Sequence, residues 1–73
     1  MYKYLVVFEK TNTGYNAFVP NLPGCVATGP DRHSTEESIY EAIQLHIRGL
    51  KEEKEEIPAG TAESEVFVFS SDA

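Results

Sequence analysis

The sequence predicts an α+β fold with the element order βββαβ, in which one helix packs on a mostly antiparallel sheet. Three observations predict it: two apolar runs around a polar turn near the N-terminus, one apolar stripe with helical spacing in the middle of the chain, and alternating Val and Phe near the C-terminus. The chain has 73 residues, the size of one small domain, so we expect a single domain over residues 1–73.

The first two predicted strands form a hairpin. Residues 2–9 and 15–19 are rich in β-branched and aromatic side chains, which are typical of strands, and the Thr, Asn and Gly of residues 11–14 are turn formers. Pro20 ends the second strand because a proline nitrogen has no hydrogen to donate to the ladder. Residues 21–24 form a turn by composition, and residues 25–28 are a short third strand.

A helix follows, and its beginning carries a capping-box pattern. The Ser34 hydroxyl would accept a hydrogen bond from a first-turn N–H, while Glu37 would reach back toward the cap. The apolar stripe repeats with a period of about 3.6 residues and consists of Ile39, Ala42, Ile43, His46, Ile47 and Leu50. Pro58 and Gly60 close the helical region, and residues 65–70 are predicted to be the last strand.

The first and last predicted strands are apolar on both faces, since successive side chains of a strand point to opposite sides. The opposed sets are Leu5 and Val7 against Tyr2, Tyr4, Val6 and Phe8, and Phe67 and Phe69 against Val66 and Val68. One helix covers only one face of a sheet, so we expect a homodimer, a higher oligomer or a dedicated partner to cover the other. The candidate residues of that contact face are Leu5, Val7, Phe67 and Phe69.

The net charge of −6 is concentrated in the second half of the chain. Residues 1–35 carry three basic and two acidic side chains, a net of +1, whereas residues 36–73 carry three basic and ten acidic ones, a net of −7. An acidic half argues against binding to a phosphate backbone and suits a basic partner. A solvated acidic face that maintains solubility is the alternative. The candidate contacts for a basic partner are Glu52, Glu53, Glu55 and Glu56.

Candidates for catalysis and metal binding are few. Cys25, His33 and Asp31 contain the groups of a nucleophile, a base and an orienting acid, but no known signature surrounds this cysteine. A buried or half-buried thiol at the start of a strand is the better interpretation. These residues and His46 also lack the paired spacing of metal-binding motifs. We therefore expect no catalytic residue, no metal and no cofactor, and a protein that is not an enzyme.

The cellular location is predicted from what the sequence lacks. A single cysteine cannot form an internal disulfide, and the longest apolar run, residues 5–8, is far too short for a membrane span. No signal-peptide pattern follows Met1. We expect a cytoplasmic protein that does not bind a membrane.

The middle of the chain resembles the HicB-like antitoxin family. The resemblance rests on Pro20-Asn21-Leu22-Pro23-Gly24-Cys25 after a hairpin, on Gly29, on Thr35-Glu36-Glu37 at the helix start and on Ile57-Pro58 after the helix. The positions assigned to this fold motif are Pro20, Leu22, Pro23, Gly24, Cys25, Gly29, Ser34 and Glu37. Three departures are Asn21 in place of the usual aspartate, Ser38 in place of alanine, and a turn lengthened by residues 31–33.

The resemblance implies a partial ribonuclease H-like domain that dimerises. It also implies binding and silencing of a small basic mRNA-cleaving toxin, an RNA-cleaving protein with a double-stranded-RNA-binding-like fold. Many family members continue into an operator-binding segment, which residues 70–73 do not provide, so we expect no DNA binding by this chain alone. The alternative function is an orphan dimeric module, structural or ligand-sensing, with no toxin partner.

Overall fold

The fold consists of a three-stranded antiparallel sheet followed by one long helix. The structure is a computed structural model that describes residues 1–71. Strand β1 is Val7–Lys10, β2 is Tyr15–Phe18, β3 is Val26–Gly29 and helix α1 is Arg32–Glu52. The strands lie in the order β1-β2-β3. The predicted α+β class and the order of the first four elements are confirmed.

The β1–β2 hairpin is shorter than predicted, because β2 leaves the sheet early. Val7 pairs with Phe18 at one end of the ladder and Lys10 with Tyr15 at the other. Beyond Phe18 the Val19 N–H faces β3 and donates to the Cys25 carbonyl at 3.2 Å, which continues the β2–β3 pairing by one residue. Pro20 has no N–H to offer the next position of the ladder. The predicted first strand over residues 2–9 therefore pairs with β2 only from Val7 onward.

The turn between β2 and β3 is built by backbone hydrogen bonds. The Leu22 N–H donates to the Val19 carbonyl and the Cys25 N–H donates to the Leu22 carbonyl, each at 3.0 Å. Gly24 has a φ of 83°, a left-handed conformation that glycine adopts without steric cost. The turn buries the Leu22 side chain completely and leaves Cys25 only 3% exposed. These motif residues thus form one wall of the core.

The core lies between the helix and one face of the sheet. Its buried members are Ala17, Val19, Leu22, Cys25 and Ile39, and Tyr4, Val6, Phe8, Ala27, Ala42 and Ile43 pack against them. Strand alternation places Val7, Phe18 and Val26 on the opposite face, where the register makes them neighbours across the three strands. We call these three residues the open-face row. Val26 is 63% exposed there.

The helix is capped by Asp31, so the predicted capping box at Ser34 and Glu37 is wrong. Asp31 has extended backbone, and its carboxylate accepts a hydrogen bond of 2.7 Å from the Ser34 N–H. Ser34 is already inside the first turn, and Glu37 lies 3.7 Å from the His33 imidazole instead. Residues 32 and 33 belong to the helix rather than to a lengthened turn. An aspartate after a proline is an equally good cap, and the helix begins there.

The strand predicted over residues 65–70 is not formed. The helix ends at Glu52, and residues 55–70 contain no helix or strand. Val66, Phe67, Val68 and Phe69 are between 67% and 92% exposed. The Cα radius of gyration is 14.7 Å, whereas a compact chain of this length has about 11 Å. A strand forms only beside a hydrogen-bonded neighbouring strand, and Val66, Phe67, Val68 and Phe69 join no strand pair among the described residues.

Replacing Asp31 tests which residue caps the helix. Asp31→Ala removes the acceptor for the Ser34 N–H, so we expect the melting temperature to fall by about 4–8 °C in circular dichroism. Ser34→Ala is the matched control, because it keeps the backbone N–H and should lower the melting temperature less. A larger decrease for Ser34→Ala would contradict the assignment.

The same cap predicts a pH dependence. The hydrogen bond from the Ser34 N–H, with a smaller effect of nearby His33, lowers the pKa of Asp31 below its usual value. Asp31 therefore stabilises the fold above the pKa it has in the unfolded chain, and that stabilisation disappears as the pH falls below about 4. Asp31→Asn keeps a capping oxygen that does not titrate. Any advantage of the wild type over Asp31→Asn at pH 7 should shrink progressively as the pH falls below about 4.

Candidate partner-binding surfaces

The segment after the helix is held against the start of the sheet. The Tyr4 hydroxyl donates a hydrogen bond of 2.6 Å to the Pro58 carbonyl. Partial burial, followed by the neighbouring Tyr2, raises the pKa of Tyr4, which keeps that hydroxyl a donor. Gly60 lies so close to the Lys3 carbonyl that a Cβ at this position would collide with it. The chain therefore passes next to the residues that precede β1.

Asn21 fixes the next part of this segment. Its side-chain oxygen accepts from the Thr61 N–H at 3.1 Å and from the Ala62 N–H at 3.0 Å. Its side-chain nitrogen donates to the Thr61 hydroxyl at 3.1 Å. An aspartate would retain the two backbone contacts but could not donate to the hydroxyl. Asn21 is thus a binding residue for the post-helix segment, which sequence reasoning treated only as a departure from a motif.

Residues 65–69, which we call the apolar tail, follow this anchored segment. Phe67 and Phe69 stack on each other with ring centroids 6.3 Å apart, and both remain mostly exposed. Val66, before them, is 89% exposed, and Val68, between them, is 92% exposed. Four large apolar side chains in one exposed extended segment are unusual for a protein that functions alone.

The predicted contact face is divided between two places. Leu5 and Val7 are half-buried in the folded part of the chain, whereas Phe67 and Phe69 lie on the exposed tail. Val7 belongs to the open-face row with Phe18 and Val26. Sequence reasoning missed Phe18 and Val26, although both alternate with core residues in their strands. The strand register was the information needed to place them beside Val7.

The four candidate glutamates cluster where the helix ends. Glu52 is the last helical residue, Glu53 is the C-terminal cap, and Glu55 and Glu56 follow directly. All four are exposed. Within residues 1–71, the ion pairs are Arg32 with Glu36 and His33 with Glu37, so none of the four carboxylates is paired with a basic side chain. We call these four residues the acidic cluster.

The structure does not bring together the groups considered for catalysis. Cys25 is buried in the core, and this burial raises the pKa of its thiol. The side chain of His33 is 81% exposed on the first turn of the helix. A thiol with a raised pKa and no facing imidazole is a poor nucleophile. Among the described residues, no three His, Cys, Asp or Glu side chains are grouped as a metal site would require.

Comparison with known proteins identifies the family. Residues 4–68 match the HicB_like antitoxin of bacterial toxin-antitoxin systems. The chain belongs to the HicB-like antitoxin family. The resemblance predicted from the Pro20–Cys25 motif is therefore confirmed, and the match also includes the anchored post-helix segment and most of the apolar tail.

Three relatives of this HicB-like chain show how widely similar sequences occur. An uncharacterized 14.9 kDa protein in the rep-hol intergenic region of Haemophilus phage HP1 is 40% identical over 55 residues, which are 75% of this chain and 41% of the phage protein. A UPF0150 protein of Synechocystis is 39% identical over 59 residues, 80% of this chain and 75% of its own. A UPF0150 protein of Helicobacter pylori is 44% identical over 45 residues, 62% of each chain.

The chain spans only about two fifths of the length of the phage relative. No solved structure gives a significant match to this chain. Within the part of the chain that the structure describes, the helix is not long and apolar enough to cross a membrane.

Replacing Asn21 tests the anchor of the post-helix segment. In Asn21→Ala the Thr61 and Ala62 amides lose their acceptor, and we expect them to exchange with solvent about tenfold faster by NMR. Asn21→Asp is the matched control, because its carboxylate still accepts from both amides and should preserve their protection. Equal exchange rates in Asn21→Ala and the wild type would contradict the anchoring role.

Cys25 should react slowly. Alkylation by iodoacetamide requires an accessible thiolate, and burial both hides the sulfur and raises its pKa. We expect labelling of the folded protein at pH 8 to be at least about a hundredfold slower than labelling in denaturing urea, as followed by mass spectrometry. Labelling of the folded protein as fast as that of glutathione, the control thiol, would contradict burial of Cys25.

Proposed function

We propose that this HicB-like chain neutralises a small basic ribonuclease that cleaves mRNA, by binding it and covering its RNA-binding face. The observation that supports this proposal is the family match over residues 4–68. The proposed mechanism is occlusion, in which groups of the antitoxin occupy the surface that RNA would contact. It requires no catalytic residue and no cofactor, and it places the protein in the cytoplasm, where mRNA is translated.

The acidic cluster is the proposed contact for the basic partner. Its four carboxylates are exposed, close in sequence and not paired with basic side chains in the described chain. A ribonuclease surface that binds RNA presents Lys and Arg to phosphate, and carboxylates are complementary to the same groups. The position at the C-terminal end of a helix adds the negative end of the helix dipole to this charge.

We also propose that the chain self-associates, as a homodimer or a higher oligomer. The support is the amount of apolar surface that one chain leaves exposed, on the open-face row and on the apolar tail. A single chain has no second layer to cover that face of the sheet. Self-association and toxin binding use different residues in this proposal.

The experiment is inhibition of a purified toxin. The small basic protein encoded beside this chain in its native genome is purified, and cleavage of a fluorescent RNA is followed as the chain is added. We expect full inhibition at about one chain per toxin if binding is tight. Absence of inhibition and of co-purification would contradict the antitoxin function and favour the orphan module.

Charge reversal tests the acidic cluster. We expect the variant with Glu52, Glu53, Glu55 and Glu56 changed to Lys to bind the toxin at least about tenfold more weakly at low salt. The difference should decrease as salt screens the charges. The matched control reverses Glu9, Glu36, Glu37 and Glu41, which are also exposed. Equal weakening by both variants would show a general charge effect and contradict a local contact.

A further inference from the structure

We infer that two copies of this chain exchange their apolar tails, so that residues 65–69 of each copy pair with the free edge of β1 in the other. The inference rests on the proposed self-association and specifies its geometry. It assigns a role to the residues that one chain leaves unpaired, and it names a second copy of the same chain as the partner.

The apolar tail has the composition of a strand that is covered on both faces. Val and Phe alternate from Val66 to Phe69, so that the valines point to one side and the phenylalanines to the other. These residue types favour strands because they pack well on a pleated surface. In the single chain these side chains are between 67% and 92% exposed. The segment therefore has the properties of a strand but lacks a sheet.

The contacts of the post-helix segment determine where the tail leaves the molecule. Gly60 contacts the Lys3 carbonyl, and Asn21 holds Thr61 and Ala62. These contacts lie at the end of the sheet where β1 begins and β2 ends. The molecule is elongated, with principal extents of 52, 27 and 18 Å. The eight residues 63–70 that follow the last anchored residue span about 26 Å when extended, which is enough to reach a neighbouring molecule.

The free edge of β1 is the better receiver of the two sheet edges. β1 and β3 are the outer strands, so each has one edge without a neighbouring strand in the described chain. The β1 region carries Lys3 and Lys10 against Glu9, a net of +1, whereas Glu63 precedes the tail and Glu65 begins it, so the two charges are complementary. β3 instead leads through Pro30 to Asp31 and Arg32, whose charges cancel. That edge therefore offers the acidic start of the tail no net opposite charge.

The side chains of the tail also match the surfaces that border β1. A strand added at this edge would extend the open-face row on one side. On the other side it would lie next to Val6 and Phe8, which are only partly buried against the core. Because the start of β1 is apolar on both faces, with Val7 on one and Phe8 on the other, a strand that is apolar on both faces fits here. A strand with one polar face would not.

The exchange pairs the tail and the β1 edge of both copies at once. Each copy has one unpaired tail and one free β1 edge, so a two-fold arrangement uses both of each. The four phenylalanines of two tails would bury about 600–1,000 Å², and the valines and the receiving surfaces add to this. A specific interface needs about 1,200–2,000 Å² in total. The available apolar surface is therefore adequate for a stable dimer.

The first experiment measures the dimer with and without a tail that can pair. Sedimentation equilibrium of the full chain should give a dimer, and Val68→Pro, which removes one N–H and blocks pairing, should raise its dissociation constant at least about tenfold. The double variant Phe67→Ser with Phe69→Ser should also raise the dissociation constant of the dimer at least about tenfold. The matched control is Tyr40→Ser with Leu45→Ser, because these helix residues are 65% and 61% exposed. It should leave the dissociation constant within about twofold.

The second experiment locates the tail. In dimers mixed from ¹³C-labelled and unlabelled chains, isotope-filtered NMR should show contacts between Phe67 or Phe69 of one copy and β1 of the other. Contacts of the tail only with its own chain, or with the helix of the other copy, would overturn the exchange.

The outcomes separate the two proposals. A monomer at all concentrations overturns both self-association and exchange. A dimer that is unaffected by the tail variants overturns exchange and leaves self-association in place. Inhibition of the basic ribonuclease by the same variants is measured separately, so a failure of the antitoxin function is distinguishable from a failure of the exchange.

Discussion

The fold depends on the point where the second strand leaves the sheet. Val19 still donates to the Cys25 carbonyl across the β2–β3 pair, but Pro20, the next residue that would face β1, has no N–H with which to continue the hairpin ladder. The chain must turn, and the turn carries Leu22 and Cys25 into the core. It also brings β3 back alongside β2 with Phe18 opposite Val26. The end of the hairpin ladder at Pro20 thus limits the length of β1, closes the core and positions β3.

The position of the helix follows from the third strand. Gly29 ends β3 next to Thr35, and a Cβ on this glycine would lie 2.5 Å from the Thr35 hydroxyl oxygen. That hydroxyl is fully buried and donates to the Asp31 carbonyl at 2.7 Å, so its polarity is satisfied inside the helix start. The helix consequently approaches the sheet closely along β3 and β2. Only one sheet face is covered, and the open-face row is the direct consequence.

The sequence predicts most of the local secondary structure but does not predict which strands pair. The hairpin, the third strand and the helix were predictable because each has a periodicity and a turn that specify it locally. The helix cap was misplaced by three residues because Ser34 and Asp31 are both good capping residues, and the choice between them is made by the packing of Thr35. The prediction of a fourth strand failed because residues 66–69 favour a strand by composition but join no strand pair among the described residues.

The candidate surfaces also differ in how far the sequence predicts them. The exposure of the acidic cluster could be predicted, since a run of glutamates is almost never buried. The open-face row could not be, because Phe18 and Val26 are neighbours only through the register of separate strands. The contacts of Asn21 with Thr61 and Ala62 join positions forty residues apart, and no periodicity in the sequence reports such a contact.

Two chemically different surfaces follow the helix, and the anchors between them keep them separate. The acidic cluster lies at the helix end, and the apolar tail begins beyond the residues that Tyr4 and Asn21 hold. Exposed carboxylates attract a basic partner electrostatically, over a range that becomes shorter as salt screens the charges. Val and Phe side chains stabilise a complex only when they are buried in direct contact. Because the anchored residues belong to neither surface, occupying one does not require moving the other. The proposed toxin contact and the proposed contact with a second copy therefore use separate surfaces and need not compete.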